Sequence, residues 1–122
     1  MILIIGGAAS GKLNYVRSLG YESGAIANGV LDDRPVVNNL QEMITGNAAV
    51  DDSLFQPLLL KAVVICRETG SGVIPAERAE REWRDAVGRM CVRLAANADT
   101  VVRMVSGIPV VIKGTIGKGA SN

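Results

Sequence analysis

The chain opens on a continuous aliphatic run, residues 1–5, in which polar and apolar positions do not alternate. Such a run is typical of a strand that is buried on both faces of a parallel sheet. A glycine-rich stretch over residues 6–11 follows, and the next apolar spacing predicts a short helix over residues 12–19 that ends at Gly20. The pattern therefore predicts a strand, a tight turn and a helix in succession.

The second half of the chain alternates aliphatic runs with one long amphipathic stretch. Residues 62–66 and 100–105 predict two further central strands, and residues 108–113 predict an edge strand beside the second of them. Between them, Pro75 opens a helix that continues to about residue 98, with charged side chains on its solvent-facing side. The predicted buried stripe of this helix consists of Ala79, Trp83, Ala86, Val87, Met90, Cys91, Leu94 and Ala95.

The segment between these two halves is weakly patterned and rich in glycine, asparagine and aspartate. It predicts a short strand around residues 25–27, loop through residue 37, and a short helix over residues 40–45. A second short helix is predicted to begin where Asp51, Asp52 and Ser53 supply N-cap oxygens and negative charge. Strands that alternate with helices predict an α/β fold with a right-handed, mostly parallel sheet flanked by helices. We expect one domain over residues 1–113 and a flexible tail over residues 114–122.

The composition fits one compact domain with an aliphatic core, since the 122 residues are 48% hydrophobic and only 3% aromatic. A formal net charge of +1 supplies neither the basic field that nucleic acid requires nor a polybasic patch for a membrane surface. No run is long enough to cross a bilayer, so a cytoplasmic location is expected. Cys66 and Cys91 lie in apolar stretches without a CxxC spacing, and we predict small buried side chains in a reducing compartment.

The sequence contains no histidine, and this excludes a wide range of chemistry for the chain. It can form no Ser-His-Asp triad, no imidazole base, no histidine-ligated zinc site and no phosphohistidine. Catalysis would depend on carboxylates, lysine, backbone amides or a bound cation such as Mg²⁺.

The turn after the first strand matches GxxxxGK, the phosphate-binding loop, between a predicted strand and a predicted helix. Small residues let successive backbone amides point at an anion, the helix start adds partial positive charge, and the lysine reaches the terminal phosphates. The alternative is a glycine-rich turn that binds nothing. We predict that a nucleotide or another phosphate is bound here, by Gly6, Gly7, Ala8, Ala9, Ser10, Gly11, Lys12 and Leu13.

The motif departs from its usual form at the position after the lysine, where a serine or threonine hydroxyl normally ligates Mg²⁺. Leu13 stands there and cannot ligate a metal, so the metal must be held by other groups or weakly, and no metal ligand is assigned. Glu68 follows the strand over residues 62–66 and is the candidate carboxylate, so Lys12 and Glu68 are the predicted catalytic residues. The alternative role of Glu68 is to order the glycine turn that follows it. Asp51 and Asp52 could approach the site, but helix capping is the favoured use of both.

Several segments together resemble the adenosylcobinamide kinase/adenosylcobinamide-phosphate guanylyltransferase family. They are residues 2–12, ETGSGVIP at 68–75, RDAVGR at 84–89, LAA at 94–96, Ala98-Asp99 and VSGI at 105–108. The resemblance implies a P-loop/RecA-like fold and a homo-oligomer with sites between subunits. It also implies an ATP- or GTP-dependent kinase acting on the aminopropanol hydroxyl of adenosylcobinamide, followed by transfer of GMP from GTP through a guanylylated histidine.

The chain differs from the family pattern in the loop, in the middle and in its histidine content. Ala9 replaces the loop arginine, Leu13 replaces the serine, and no histidine is available as nucleophile, which excludes guanylyl transfer by that route. The chain is shorter than usual, since the acidic strand of the family is missing between about residues 44 and 58. Residues 32–35 are faintly similar to the family's Arg-Pro segment, and Glu42 to a following glutamate.

Three functions remain open from the sequence. The first is a minimal nucleotide-dependent kinase acting on a corrinoid such as cobinamide or a related alcohol. The second is a catalytically degenerate, nucleotide-binding regulatory or scaffold subunit, and the third is a structural remnant with an empty loop. The expected cofactor is ATP or GTP, with or without Mg²⁺, and the expected partners are the nucleotide, a corrinoid and further copies of the chain.

Overall fold

A computed structural model of the protein describes residues 1–68 and 77–116. These residues form six strands in one sheet, three α-helices and two short 3₁₀ turns at Ser23–Ala25 and Leu40–Met43. The strands are β1 (Ile2–Gly6), β2 (Ile26–Asn28), β3 (Val36–Asn38), β4 (Val63–Arg67), β5 (Thr100–Val105) and β6 (Ile108–Lys113). The helices are α1 (Lys12–Ser18), α2 (Ala48–Leu59) and α3 (Arg78–Asn97).

The sheet has the strand order β2-β3-β4-β1-β5-β6, with β1 between β4 and β5. All neighbouring strands are parallel except β6, which runs antiparallel to β5 at the edge. In the centre, Ile4 pairs in register with Ile65 and Val102, and all three side chains are fully buried. This arrangement confirms the predicted α/β fold with a mostly parallel sheet, and it is consistent with a P-loop/RecA-like protein.

Each face of the sheet carries its own apolar cluster. On one face, Leu3 and Val64 pack with Leu94 and other residues of α2 and α3. On the other face, Ile65 and Val16 pack together beneath α1. Each such aliphatic side chain contributes on the order of 1.5–3 kcal/mol when it is fully buried, so the two clusters fix which side of every strand faces which helix.

The middle of the chain differs most from its sequence-based prediction. β3 lies where loop was predicted, because its three residues are too short to show a strand pattern and are held by parallel pairing with β2 and β4. A 3₁₀ turn replaces the predicted helix over residues 40–45. α2 begins at Ala48, where the side chain of Asn47 accepts hydrogen bonds from the backbone N–H groups of Ala49 and Val50.

The predicted cap at residues 51–53 is therefore wrong, since these residues lie within the helix. Asp51 is buried and accepts hydrogen bonds from the backbone of Thr45 and Gly46, so it folds the preceding loop onto the helix. Asp52 pairs with Arg93 of α3, with an Nη1–Oδ1 distance of 2.7 Å.

The long helix and the sheet edge agree with the sequence pattern in most positions. Ala86, Val87, Met90 and Leu94 are buried, while Ala79 is exposed at the helix start, contrary to the prediction. Residues 75 and 76, the predicted opening of this helix, lie outside the described residues. None of the helices in the described ranges combines the length and the apolar character that a bilayer crossing requires.

The start of the predicted tail contacts the sheet. Thr100 Oγ1 donates a hydrogen bond to the Thr115 carbonyl at 2.7 Å, and Ile116 packs against the apolar cluster beneath α1. The remainder of the tail, residues 117–122, lies outside the described residues.

Candidate functional site

The glycine-rich turn after β1 curls tightly enough that glycine is required at its first position. A Cβ atom added to Gly6 would lie 2.5 Å from Ser10 Oγ and 3.0 Å from the Met104 carbonyl oxygen. Ala9 and Gly11 have positive φ angles of 56° and 90°, so two left-handed residues turn the backbone into α1. The small side chains of the motif thus permit a backbone path that larger residues would not.

The curled turn is held by both strands that flank β1. The Ser10 carbonyl accepts a hydrogen bond from the Gly107 N–H at 3.0 Å, which attaches the turn to the β5–β6 connection. On the other side, the Glu68 N–H donates to the Gly6 carbonyl at 2.9 Å. The loop conformation is therefore fixed by hydrogen bonds at both ends.

Lys12 lies across this loop. Its Nζ donates hydrogen bonds to the Gly7 carbonyl at 2.5 Å and to Ser10 Oγ at 3.4 Å. Partial burial lowers the pKa of Lys12, and the nearby Arg67 guanidinium lowers it further. Cys66 and Glu68 act in the opposite direction and raise this pKa by smaller amounts, so the lysine ammonium lies over the loop with Arg67 as its largest charged influence.

A cleft of about 620 Å³ opens beside the loop at the carboxyl ends of β1, β3 and β4. In open parallel sheets, ligands bind outside the carboxyl ends of the strands. Its charged residues are three cations, Lys12, Arg17 and Arg67, and one carboxylate, Glu42. Its other lining residues are Ala8, Ala9, Ser10, Gly11, Leu13, Asn14, Asn38, Asn39 and Gln41.

Arg67 enters the cleft because side chains alternate between the two faces of a strand. Ile65 belongs to the apolar cluster beneath α1, and Arg67 is two residues further along β4, on that same face. Cys66 belongs to the cluster beneath α3, and Glu68 follows on that side. Of Arg67 and Glu68, the residue that lines the cleft is therefore Arg67.

The structure places Glu68 in an ion pair and not among the cleft residues. Its Oε1 accepts from Arg103 Nε at 2.7 Å and its Oε2 from Arg103 Nη2 at 3.2 Å. This side chain crosses the end of β1 on the face opposite α1. The catalytic role assigned to Glu68 stays a prediction, and the alternative, that Glu68 orders residues 70–72, falls outside the described residues.

Asp51 and Asp52 do not approach the loop. Both line a second cleft of about 410 Å³ between α2 and α3, together with Arg89 from the RDAVGR segment. Their hydrogen bonds, to the turn before α2 and to Arg93, account for both carboxylates structurally.

Gln41 connects the cleft to α3, and nothing in the sequence pattern singled it out. This buried side chain accepts a hydrogen bond from the Arg67 N–H at 3.0 Å and donates to Asn39 Oδ1 at 3.2 Å. The backbone carbonyl of Gln41 accepts a hydrogen bond from Trp83 Nε1 at 3.1 Å. No sequence pattern marks Asn39 or Gln41, because both follow β3, the strand that the pattern failed to predict.

Among the described residues that line the cleft, the donor groups do not fit a protein-ligated Mg²⁺ ion. Leu13 offers no oxygen, Glu68 is held by Arg103, and Glu42 is the one carboxylate among the lining residues. Across residues 1–68 and 77–116, no three carboxylate, thiol or imidazole groups come together where they could hold a metal ion.

The fold and the turn together define the class of protein: an α/β protein with a glycine-rich turn and lysine after its central strand. A family model described as cobinamide kinase / cobinamide phosphate guanyltransferase matches residues 26–112, and the chain belongs to that family. The resemblance seen in the sequence is thereby confirmed. The matched range begins after the loop, so the phosphate site rests on its own geometry.

Two curated relatives carry the name bifunctional adenosylcobalamin biosynthesis protein CobU. The Salmonella typhimurium protein is 49% identical over 71 residues, which cover 53% of this chain and 39% of the relative. The Escherichia coli K12 protein is 45% identical over 53 residues, which cover 43% of this chain and 29% of the relative. The matched part thus spans well under half the length of either relative.

Proposed function

We propose that the chain binds ATP or GTP with the phosphates against loop residues 6–13 and Lys12. The observation that carries this proposal is the position of Lys12 Nζ over a curled glycine loop, beside a cleft that also contains Arg17 and Arg67. Backbone amides of such a loop and flexible cations are the groups that recognise phosphate. The cleft volume of about 620 Å³ lies within the usual range for small-molecule sites.

The cellular role we propose is a nucleotide-dependent kinase of cobalamin biosynthesis, acting on a corrinoid such as cobinamide. Membership of the cobinamide kinase / cobinamide phosphate guanyltransferase family supports this role. A guanylyl-histidine step has no candidate nucleophile in this chain, since the sequence contains no histidine. Nucleotide use and the two free cysteines, Cys66 and Cys91, support a cytoplasmic location.

A second candidate is a regulatory or scaffold subunit that binds the nucleotide without turnover. Two observations favour it: Leu13 stands where a hydroxyl would hold Mg²⁺, and Glu68 is engaged by Arg103. Phosphoryl transfer depends on groups that position the phosphates and neutralise their charge, so a site without them would retain binding more readily than turnover.

Calorimetric titration of the purified chain with ATP and with GTP tests the binding proposal. Removing a cation that contacts phosphate costs about 1.5–3 kcal/mol, or roughly 10- to 100-fold in affinity, and we expect Lys12→Ala to show this loss. Lys113→Ala is the matched control, because Lys113 contacts the Ala95 and Ala96 carbonyls at the end of α3. Absence of binding by the wild-type chain, or equal affinity in the Lys12→Ala variant, would overturn the proposal.

Transfer of labelled γ-phosphate from ATP to cobinamide separates the two roles. A labelled corrinoid product that is lost in the Lys12→Ala variant supports the kinase. Nucleotide binding without any labelled product supports the regulatory subunit.

We also propose that the chain self-associates through β6. Ile108, Val110, Val111 and Ile112 are all exposed, and β6 is the last strand of the sheet. A long apolar edge strand invites pairing with another strand, and a second copy supplies an identical one. Antiparallel pairing of two β6 strands would join two sheets and pair the free backbone N–H and C=O groups of this edge, with the apolar side chains of the two strands side by side.

A further inference from the structure

Arg67 presents a cation to the phosphate cleft that the rest of the described chain does not neutralise. Its backbone N–H is held by Gln41, while its guanidinium makes no hydrogen bond or ion pair within residues 1–68 and 77–116. The other arginine at this end of the sheet, Arg103, is by contrast paired with Glu68 through two hydrogen bonds. The two strands that flank β1 thus hold one neutralised arginine and one that is available to a ligand.

Arg67 lies near a second cation, the ammonium group of Lys12. The proximity of Arg67 is, after burial, the second cause of the lowered pKa of Lys12, and Arg17 lines the same cleft. Placing like charges together opposes folding, so such a cluster is most readily understood as a site for an anion. Guanidinium groups suit phosphate in particular, because their planar N–H donors can bind two oxygens at once.

The usual partner of a nucleotide's phosphates in this kind of loop is Mg²⁺, and the described lining residues offer it a single carboxylate, Glu42. Leu13 replaces the hydroxyl with an aliphatic side chain, and the strand end that would supply a carboxylate supplies Arg67 instead. A triphosphate without its metal carries two more negative charges than its Mg²⁺ complex. The three cations of the cleft match the more highly charged form, with Glu42 as the opposing charge.

We infer that Arg67 takes the place of the divalent cation, so that the cleft binds the nucleotide triphosphate as the metal-free anion. This inference rests on the proposed nucleotide binding and specifies which ionic form of the nucleotide is recognised. It assigns Arg67 as a binding residue that contacts the phosphates, with Lys12 on the loop side and Arg17 on α1.

Titration with ATP and GTP in excess EDTA and in excess MgCl₂, at matched ionic strength, tests the inference. We expect the wild-type chain to bind at least as tightly in EDTA as in MgCl₂. Arg67→Gln should weaken binding in EDTA by roughly 10- to 100-fold, as expected for loss of a charged hydrogen-bonding group. The loss in MgCl₂ should be smaller, so the preference for the metal-free form should disappear.

The matched control is Arg103→Gln, the same change on β5, which lies on the other side of β1, and on the opposite face of the sheet. We expect its affinity to stay within about twofold of wild type. Thermal unfolding by circular dichroism should show that Arg67→Gln folds, since it removes a repulsion with Lys12 and breaks no side-chain hydrogen bond or ion pair of the described residues.

The outcomes separate this inference from the proposed function. Wild-type binding that requires Mg²⁺, or an Arg67→Gln loss no larger than that of Arg103→Gln, overturns the inference. If that binding still depends on Lys12, the proposed function stands. Absence of binding in both EDTA and MgCl₂ overturns both.

Discussion

The Gly107 N–H donates a hydrogen bond to the Ser10 carbonyl at 3.0 Å, and this bond joins the β5–β6 turn to the loop after β1. The two residues are far apart in sequence but their backbones are in contact. A Cβ atom added to Gly11 would lie only 3.1 Å from Gly107 Cα. The shape of the loop is therefore set partly by a distant turn as well as by its own glycines.

Replacing Gly11 with alanine should strain this junction. Gly11 has a φ of +90°, and left-handed geometry costs a residue with a Cβ atom roughly 1–2 kcal/mol. We expect the melting temperature, followed by circular dichroism, to fall by roughly 4 °C per kcal/mol lost. The nucleotide affinity should fall as well, because the same residue sets the loop path.

The matched control for this change is Gly88→Ala in the exposed middle of α3, where an added Cβ meets no atom within 4 Å. Alanine is the better helix former, so stability should rise by up to about 1 kcal/mol. If both variants shift the melting temperature in the same direction, the described contact does not hold the loop.

The ion pair between Glu68 and Arg103 should contribute little to stability. The Arg103 side chain is 54% exposed and that of Glu68 24%, and pairs in such settings are worth about 0–1 kcal/mol. A double-mutant cycle with Glu68→Gln and Arg103→Gln, measured by urea unfolding, should return a coupling energy in that range. Nucleotide affinity should remain near wild type in both. A strong loss of affinity in Glu68→Gln alone would instead assign this carboxylate to the site.

Stability should fall in alkaline solution because of the thiol pair. The neighbouring Cys91 thiol and burial both raise the pKa of the Cys66 thiol, while Cys66 lowers the pKa of Cys91, so the folded pair releases its first proton readily and keeps the second one on Cys66. In the unfolded chain this thiol ionises above about pH 8.5, whereas the folded chain keeps its proton. The unfolded state then binds fewer protons, so the free energy of unfolding declines as pH rises, by up to about 1.4 kcal/mol per pH unit.

Urea unfolding between pH 7 and pH 10 measures this decline. The comparison is with the double variant Cys66→Ala/Cys91→Ala, which carries no thiol. The stability advantage of the wild-type chain over this variant should shrink from about pH 9 upward, where the unfolded chain has lost both thiol protons and the folded chain still holds the one on Cys66. Parallel curves for the two proteins would contradict a protonated Cys66.

Self-association through β6 should be disrupted by a charge on its exposed side. Ile112 is 57% exposed on this strand, and Ile112→Lys should convert the assembly to monomer in size-exclusion chromatography with light scattering. Val92→Lys on α3 is the control, since Val92 is 70% exposed on a helix surface. Dissociation by the Val92 variant, and not by the Ile112 variant, would place the interface on the helix.

The sequence pattern predicted the central strands because long aliphatic runs have few alternatives. β1, β4 and β5 each coincide with such a run, and parallel pairing buries them on both sides. β3 escaped prediction because its strand character comes from pairing with its neighbours. The cap predicted at Asp51 failed for a related reason: this carboxylate serves a turn that no sequence pattern shows.

The loop of the candidate site was predictable from the sequence, but the other residues that line the cleft were not. The motif named residues 6–13, and the structure places most of them around one cleft, while nucleotide binding itself stays a prediction. At the end of β4, the acidic residue Glu68 was predicted as the catalytic carboxylate. The alternation of side chains along the strand would have selected Arg67, since Ile65 and Arg67 share a face.

The hydrogen bond from Trp83 to the backbone carbonyl of Gln41 makes this tryptophan an intrinsic fluorescence probe of the cleft. Trp83 is the only tryptophan in the sequence, its Nε1 donates to the Gln41 carbonyl, and the same glutamine lines the phosphate cleft. Indole fluorescence responds to the hydrogen bonding and polarity around its nitrogen. A ligand that shifts Gln41 therefore changes the emission of the unlabelled chain, so occupancy of the cleft can be followed in solution without an attached dye.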